Sequence, residues 1–259
     1  MSINKLCHPL FLKDPAHKIV MLTAYDHPTA RLLDKAGIDV ILVGDSVANV
    51  VLGLDSTTQV GMDEMLHHTR AVCRGAGRTP VVADMPASAV RVDAVQNARQ
   101  FIDAGCMAVK IEWFDGCLDV IRSVRQSGIE VIGHVGLTPQ TAQEMKVQGR
   151  DAASAQVIVD QSLAMEQAGC FALVLECVPE ALARQVTESL KIPTIGIGAG
   201  KFCDGQVLVL HDMLGLNDRK VPKFVKRYID ASGLMLQAID AYKKEVSSGE
   251  FPSSDQSFH

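Results

Sequence analysis

Three carboxylates in this 259-residue chain stand where apolar runs stop. Val40-Ile41-Leu42-Val43-Gly44 runs into Asp45 and Ser46, Pro80-Val81-Val82-Ala83 ends in Asp84, and Met107-Ala108-Val109 leads into Lys110-Ile111-Glu112. A charge at the end of a buried strand is costly unless it meets a counter-charge, a metal ion or active-site solvent. Asp45, Asp84 and Glu112 offer hard oxygen donors with no histidine or thiolate in the same strands. Such a set prefers Mg²⁺ to zinc and leaves coordination positions for water and substrate. A structural ion pair, Asp84 with Lys110 for instance, is the alternative for any one of these acids. Three acids with a lysine at neighbouring strand ends favour the metal site. Lys110 and Glu112 lie two apart on a strand and therefore share a face.

Glu176 closes the apolar run Phe171-Ala172-Leu173-Val174-Leu175. Burial raises a carboxyl's pKa, which suits a general base working near neutrality; a solvated strand end is the alternative. His134, after Val131-Ile132-Gly133, is placed to hydrogen-bond an anionic substrate, unless it is a core histidine satisfied by a backbone carbonyl. His67-His68 reads as a partly solvated helix face. Gly196-Ile197-Gly198-Ala199-Gly200 lacks the dinucleotide spacing, and Gly200-Lys201 is followed by Phe202 rather than Ser or Thr, so neither nucleotide pattern holds. Glycines there instead offer a ligand close backbone approach.

The elements that position these residues alternate between strand-like and helix-like patterns. Strands are expected at 18–25, 40–45, 80–84, 107–112, 130–134, 171–176, 193–198 and 206–212, with helices at 27–36, 63–75, 93–104, 116–126, 154–168 and 179–190. Eight such alternations without a break predict an α/β fold, a (β/α)8 barrel whose strand ends share one mouth. A doubly wound sheet is the structural alternative. A short helix within residues 1–17 would plug the bottom of the barrel through Leu6, Pro9, Leu10 and Phe11. A helical tail with a basic start is expected at 221–245, followed by a mobile end from Ser247. The expectation is one barrel domain over residues 1–259.

Composition narrows the class. The chain is 47% hydrophobic, with net charge −5 and 5% aromatic residues, which argues against a nucleic-acid groove of basic and stacking side chains. No apolar run approaches the roughly 20 residues that span a bilayer, so no membrane partner is expected. The seven cysteines form no C-x-x-C pair and read as reduced thiols in a cytoplasmic protein.

Longer motifs carry a resemblance. Leu22-Thr23-Ala24-Tyr25-Asp26, Val43-Gly44-Asp45-Ser46, Asp55-Ser56-Thr57, Asp84-Met85-Pro86, Lys110-Ile111-Glu112, Gly133-His134-Val135-Gly136-Leu137-Thr138-Pro139-Gln140, Lys146-Val147-Gln148-Gly149-Arg150, Glu176-Cys177-Val178-Pro179 and Gly196-Ile197-Gly198-Ala199-Gly200 resemble ketopantoate hydroxymethyltransferases over almost the whole chain. The resemblance implies a barrel of the phosphoenolpyruvate mutase/isocitrate lyase group and a cytoplasmic homo-oligomer, often a decamer. It implies transfer of a one-carbon unit from 5,10-methylenetetrahydrofolate to 3-methyl-2-oxobutanoate, giving 2-dehydropantoate. By the same resemblance Asp45 and Asp84 bind Mg²⁺, with Glu112 binding directly or through water. Asp45, Ser46, Asp84, Lys110 and His134 hold the oxoacid, and Glu176 accepts the proton.

Departures from the family pattern fall in loops. Trp113 and Phe114 replace two glycines, Val47-Ala48-Asn49 and Thr58-Gln59 are unusual, Ala87 replaces a common Phe, and the 141–145 segment is about three residues short. They keep open a folate-independent lyase or aldolase acting on another 2-oxoacid, and a non-catalytic oxoacid-binding or assembly paralogue. Retained buried acids argue against the latter.

Overall fold

The computed structural model describes residues 13–14, 16–142, 144, 146–217 and 221–258. They fall into two compact units, one ending at Val209 and the other starting at Leu210. The first is a closed barrel of eight parallel strands in sequence order: β1 (Ile19–Thr23), β2 (Val40–Val43), β3 (Val81–Asp84), β4 (Ala108–Glu112), β5 (Glu130–Gly136), β6 (Ala172–Glu176), β7 (Thr194–Ile197) and β8 (Gly205–Leu208). Between them run α1 (His27–Ala36), α2 (Val47–Val50), α3 (Met62–Gly75), α4 (Ala87–Val90), α5 (Ala94–Asp103), α6 (Cys117–Gln126), α7 (Ala152–Ala168) and α8 (Glu180–Ser189). The expected barrel is the observed one.

Local chemistry sets the helix boundaries. Asp26 caps α1 by accepting from Thr29 N, and Asp151 caps α7 by accepting from Ser154 N, starting α7 two residues earlier than its apolar pattern suggests. Each cap satisfies an N–H that has no partner within its helix.

Strand parity builds the site. Met21, Val40, Leu42, Val82, Ala108, Ile132, Ala172, Val174, Ile195 and Val207 belong to one buried apolar cluster. Two residues further along β3, β4, β5 and β6, on the same face, come Asp84, Lys110, His134 and Glu176, with Glu112 two beyond Lys110. The register sets Val82 beside Ala108 and Asp84 beside Lys110, then Glu112 beside His134. The inward face thus changes from aliphatic to charged at the C-terminal ends, the end where barrels of this kind carry their sites.

Two expectations are corrected. The last strand stops at Leu208, and Leu210–Leu214 forms α9 rather than its continuation. A short apolar run does not by its periodicity distinguish strand from helix. The tail helix is α10 (Ala231–Ser248), not 221–245; Asp230 caps it by accepting from Gly233 N, and Gly249 ends it at φ 75°. Residues 221–230, which include Pro222, stay outside any helix. Beyond α10, Ser253 caps a 3₁₀ turn at Ser254–Gln256. The helix expected near the N-terminus lies outside the described residues, apart from Lys13, Asp14, Ala16 and His17, none of which is helical. Among the described residues no helix is long and apolar enough to cross a membrane.

Candidate active site

The mouth gathers its charges around Lys110, a side chain only 5% exposed. Its Nζ lies 3.2 Å from Asp84 Oδ1, 3.9 Å from Glu112 Oε1 and 3.2 Å from His134 Nδ1. Asp84 uses its other oxygen to accept from Asp45 N at 3.0 Å. Asp45 itself lies two residues beyond β2, and its Oδ2 accepts from Gln140 Nε2 at 2.8 Å. His134 stands between two acids, Nδ1 being 3.3 Å from Glu112 Oε1 and Nε2 3.3 Å from Glu176 Oε2.

All of these groups except Glu176 are buried, so their charges depend on one another. Burial pushes the Asp45 carboxyl up to about 8, the neighbouring Asp84 and Glu112 adding to the effect and Lys110 opposing it. Burial likewise raises Asp84 against the pull of Lys110. Burial would raise Glu112 too, but His134 and Lys110 prevail and hold it below the usual carboxylate range. Burial works against the charge on Lys110; Asp84, Glu112 and Asp45 outweigh it and raise its pKa. Burial and Lys110 both lower His134, yet Glu112 and Glu176 prevail and push it up to about 9. As an imidazolium it donates Nδ1–H toward Glu112. In the neutral form with its proton on Nε2, Nδ1 accepts from Lys110. Nε2–H faces Glu176 in both forms.

The alternative of a core histidine satisfied by a backbone carbonyl is not what the structure shows. Among the described residues no backbone carbonyl satisfies its ring, and both nitrogens face ionisable partners. Glu176, the last residue of β6, has a side chain 16% exposed and is the least enclosed of the acids. Its carbonyl accepts from Leu137 N at 2.9 Å. Gly136, at φ 93°, makes that approach possible, because a Cβ there would collide with the Glu176 carbonyl oxygen. Ser46 is half-buried, and its Oγ lies 2.8 Å from Tyr25 Oη.

A divalent cation fits the donor set. If every group is ionised, Asp45, Asp84, Glu112 and Glu176 outnumber Lys110 and His134 by two negative charges, a burden that buried groups do not carry without a cation. Among the described residues, however, no group of three His, Cys, Asp or Glu side chains is arranged to hold a metal by itself. Both Glu112 oxygens are occupied, Oε1 by Lys110 and His134 and Oε2 by Gln140 N at 3.0 Å. The three expected ligands stand at neighbouring strand ends without converging. Both Asp84 oxygens face donors as well, Oδ1 Lys110 and Oδ2 the Asp45 N–H, whereas Asp45 uses only Oδ2; so sparse a carboxylate set suits Mg²⁺, an ion held through one or two carboxylates plus water and substrate.

Three residues that build this mouth carry no signal of a role in the sequence. Gln140, from the segment after β5, bridges to Asp45 and to the Met85 carbonyl (3.0 Å) through Nε2. Buried Tyr25 supports Ser46. His68, expected on a solvated face, has Nδ1 2.7 Å from the Tyr25 carbonyl, while His67 is exposed. Gly200, after β7, serves packing: a Cβ there (φ 74°) would clash with the Glu180 side chain, and Gln206 Nε2 donates to its carbonyl at 2.9 Å. The departures from the family pattern map to α2, the 3₁₀ turn Thr57–Gln59, α4 and the segments after β4 and β5. Phe114 carries the Arg91 guanidinium 4.6 Å above its ring centre, and Trp113 N donates to the His134 carbonyl at 2.9 Å.

A parallel barrel with an acid-rich, lysine-centred mouth is an enzyme architecture, and solved structures share the barrel. The chain superposes on 2,3-dimethylmalate lyase, a PEP mutase/isocitrate lyase superfamily member, with TM-score 0.60 and 18% identity, covering 96% of this chain and 89% of that one. A phosphonopyruvate hydrolase crystallised with oxalate and Mg²⁺ gives TM-score 0.64 at 14% identity, covering 94% and 90%. The fold is therefore the (β/α)8 barrel of that group. The sequence places it more narrowly: residues 8–254 match the model of ketopantoate hydroxymethyltransferase, and the chain belongs to that family. It is 50% identical over 254 residues to the 3-methyl-2-oxobutanoate hydroxymethyltransferase of Carboxydothermus hydrogenoformans, covering 95% of this chain and 92% of the relative. It is 52% identical over 248 residues to that of Nitratidesulfovibrio vulgaris, covering 93% and 81%.

Proposed function

We propose that this chain is a hydroxymethyltransferase of pantothenate biosynthesis, joining the one-carbon unit of 5,10-methylenetetrahydrofolate to C3 of 3-methyl-2-oxobutanoate, with water supplying the hydroxyl oxygen, to give 2-dehydropantoate and tetrahydrofolate. The observation that carries the reading is the cluster of Asp45, Asp84, Lys110, Glu112, His134 and Glu176 at one barrel mouth in a member of this family. The lyase reading has no observation in its favour, since the solved lyase shares the fold alone. Its partners are small molecules, and it works as a cytoplasmic homo-oligomer.

Asp45, Asp84 and Glu112 are the residues that would hold Mg²⁺. When bound, the ion supplies Lewis-acid stabilisation of negative charge developing on the 2-oxo oxygen. Lys110 places a second, fixed cation beside that charge, and Ser46 and His134 help to hold the oxoacid in one orientation. Glu176 takes the C3 proton on its carboxylate, one of whose oxygens lies 3.3 Å from His134 Nε2, the other being left for the substrate. C3 then attacks the folate-borne methylene carbon as one of its two bonds to nitrogen breaks, and water replaces the second nitrogen, which takes up a proton, leaving the hydroxymethyl group on C3 and releasing tetrahydrofolate. A proton on a carbon beside a ketone is far less acidic than a carboxylic acid, and each pKa unit of mismatch costs about 1.4 kcal/mol. Charge stabilisation at the oxygen therefore has to accompany the base.

Cation affinity will depend on pH in a defined direction. Asp45, pushed up to about 8 by burial and by Asp84 and Glu112, has to lose its proton to act as a ligand. Affinity for Mg²⁺ or Mn²⁺ should rise with pH, by up to about tenfold per unit below that value, and level off above it. Calorimetric titrations across this range check the slope; a flat profile would remove Asp45 from the ligand set. Purified protein given Mg²⁺, 3-methyl-2-oxobutanoate and methylene-labelled folate should form labelled 2-dehydropantoate. Folate-independent cleavage of another 2-oxoacid, with no such product, would replace this reading with the lyase.

A further inference from the structure

Gln140 lies outside every strand and helix of the barrel, in the segment that follows β5. It nevertheless touches the ends of three strands. Its backbone N–H donates to Oε2 of Glu112, the last residue of β4, at 3.0 Å. Its side-chain amide spends one N–H on Asp45 Oδ2 beyond β2 at 2.8 Å and the other on the Met85 carbonyl beyond β3 at 3.0 Å. The Met85 bond anchors the amide, so the Asp45 bond fixes one carboxylate oxygen. Asp45 Oδ1 accepts no hydrogen bond among the described residues and stays available.

The chemistry of the amide matters as much as its reach. Gln140 is neutral, so it orients two acids without cancelling their charge. A lysine or arginine at the same place would satisfy the same oxygens and neutralise the charge that attracts a cation. Lys110 already supplies an ammonium to the cluster, and it sits on Asp84 and Glu112 rather than on Asp45. The division is consistent: charged donor on one side, neutral donor on the other.

We infer that Gln140 is the positioning residue of the cation site, a neutral clamp whose side-chain amide fixes one Asp45 oxygen and leaves the other to the cation. This inference rests on the metal-dependent transferase reading above. Supports of this kind behind metal ligands are worth about 10–100-fold in metal affinity. Gln140 acts through Asp45 and Glu112 and touches no reacting atom in this arrangement.

The test is Mn²⁺ binding to the full chain without substrates, read by electron paramagnetic resonance, with thermal unfolding measured alongside. Gln140→Ala should weaken Mn²⁺ binding by about 10–100-fold. Gln140→Asn, one methylene too short to reach both Asp45 and Met85, should fall in the same direction while keeping the backbone bond to Glu112. Gln140→Lys is decisive, because it retains a donor within reach: a merely structural tie would be restored by it, whereas a neutral clamp predicts binding weaker than in the alanine variant. Wild-type affinity in Gln140→Ala, or recovery in Gln140→Lys, overturns the inference. If the wild-type protein itself binds no Mn²⁺, the metal-dependent reading fails first, and the role of Gln140 with it.

Discussion

Glu176→Gln should lower turnover by about 10²–10⁴-fold, the usual contribution of a positioned general base, while the dissociation constant for the oxoacid changes by only a few-fold. The substitution keeps the shape of the side chain and removes its ability to accept a proton. Folding should survive it, because Glu176 is the least enclosed acid of the cluster and ends its strand at the mouth, one side open to the reaction chamber. His134 keeps its Glu112 partner in the variant. Steady-state kinetics with both substrates, paired with oxoacid titration, separates the two effects. Turnover within a factor of a few of wild type would assign the proton to another group. A matching loss of oxoacid binding would make Glu176 a binding residue instead.

Lys110→Met should carry the largest stability effect in the molecule. Methionine fills most of the space of the lysine stem and leaves Asp45, Asp84 and Glu112 facing one another without their ammonium. Removing one member of a buried charge cluster costs about 3–5 kcal/mol, because the remaining charges stay desolvated. The penalty should shrink in two circumstances. Below the raised carboxyl pKa values of Asp45 and Asp84, protonation removes the repulsion, so the deficit relative to wild type narrows as pH falls. At neutral pH, millimolar Mg²⁺ should recover part of it by supplying the missing positive charge. Urea unfolding with and without Mg²⁺ measures both. A cost below about 1 kcal/mol would contradict the electrostatic account of the mouth.

Much of this arrangement is legible in the amino-acid order. The strands of a parallel barrel are buried on both faces, so they appear as branched apolar runs. A carboxylate that ends such a run has few physical justifications, which is why Asp84, Glu112 and Glu176 declare themselves, and why Lys110 and Glu112 can be assigned to one face. The same reasoning falls short where function rests on contacts distant in sequence. Nothing local to Gln140 signals a hydrogen bond to Asp45, 95 positions away. Tyr25 and His68 look like an ordinary strand end and an ordinary helix face until the barrel closes and brings α3 against the end of β1.

Gly200, after β7, misleads for a related reason. Freedom from a Cβ serves a ligand and the Glu180 side chain equally well, and only the fold shows which occupies the space. At residues 210–214 strand and helix look alike, because a run this short fits either period. The basic start of the expected tail helix lacks a capping residue, and Asp230 further on supplies it.

The central claim is that this mouth removes the C3 proton of a 2-oxoacid with Mg²⁺ present. Its most direct measurement is deuterium exchange at C3 of 3-methyl-2-oxobutanoate, followed by NMR in D₂O with Mg²⁺ and no folate, which isolates proton removal from one-carbon transfer. The account predicts exchange in the wild-type protein and its loss in Glu176→Gln. Folded protein that binds both Mg²⁺ and the oxoacid yet leaves the C3 proton in place would contradict it.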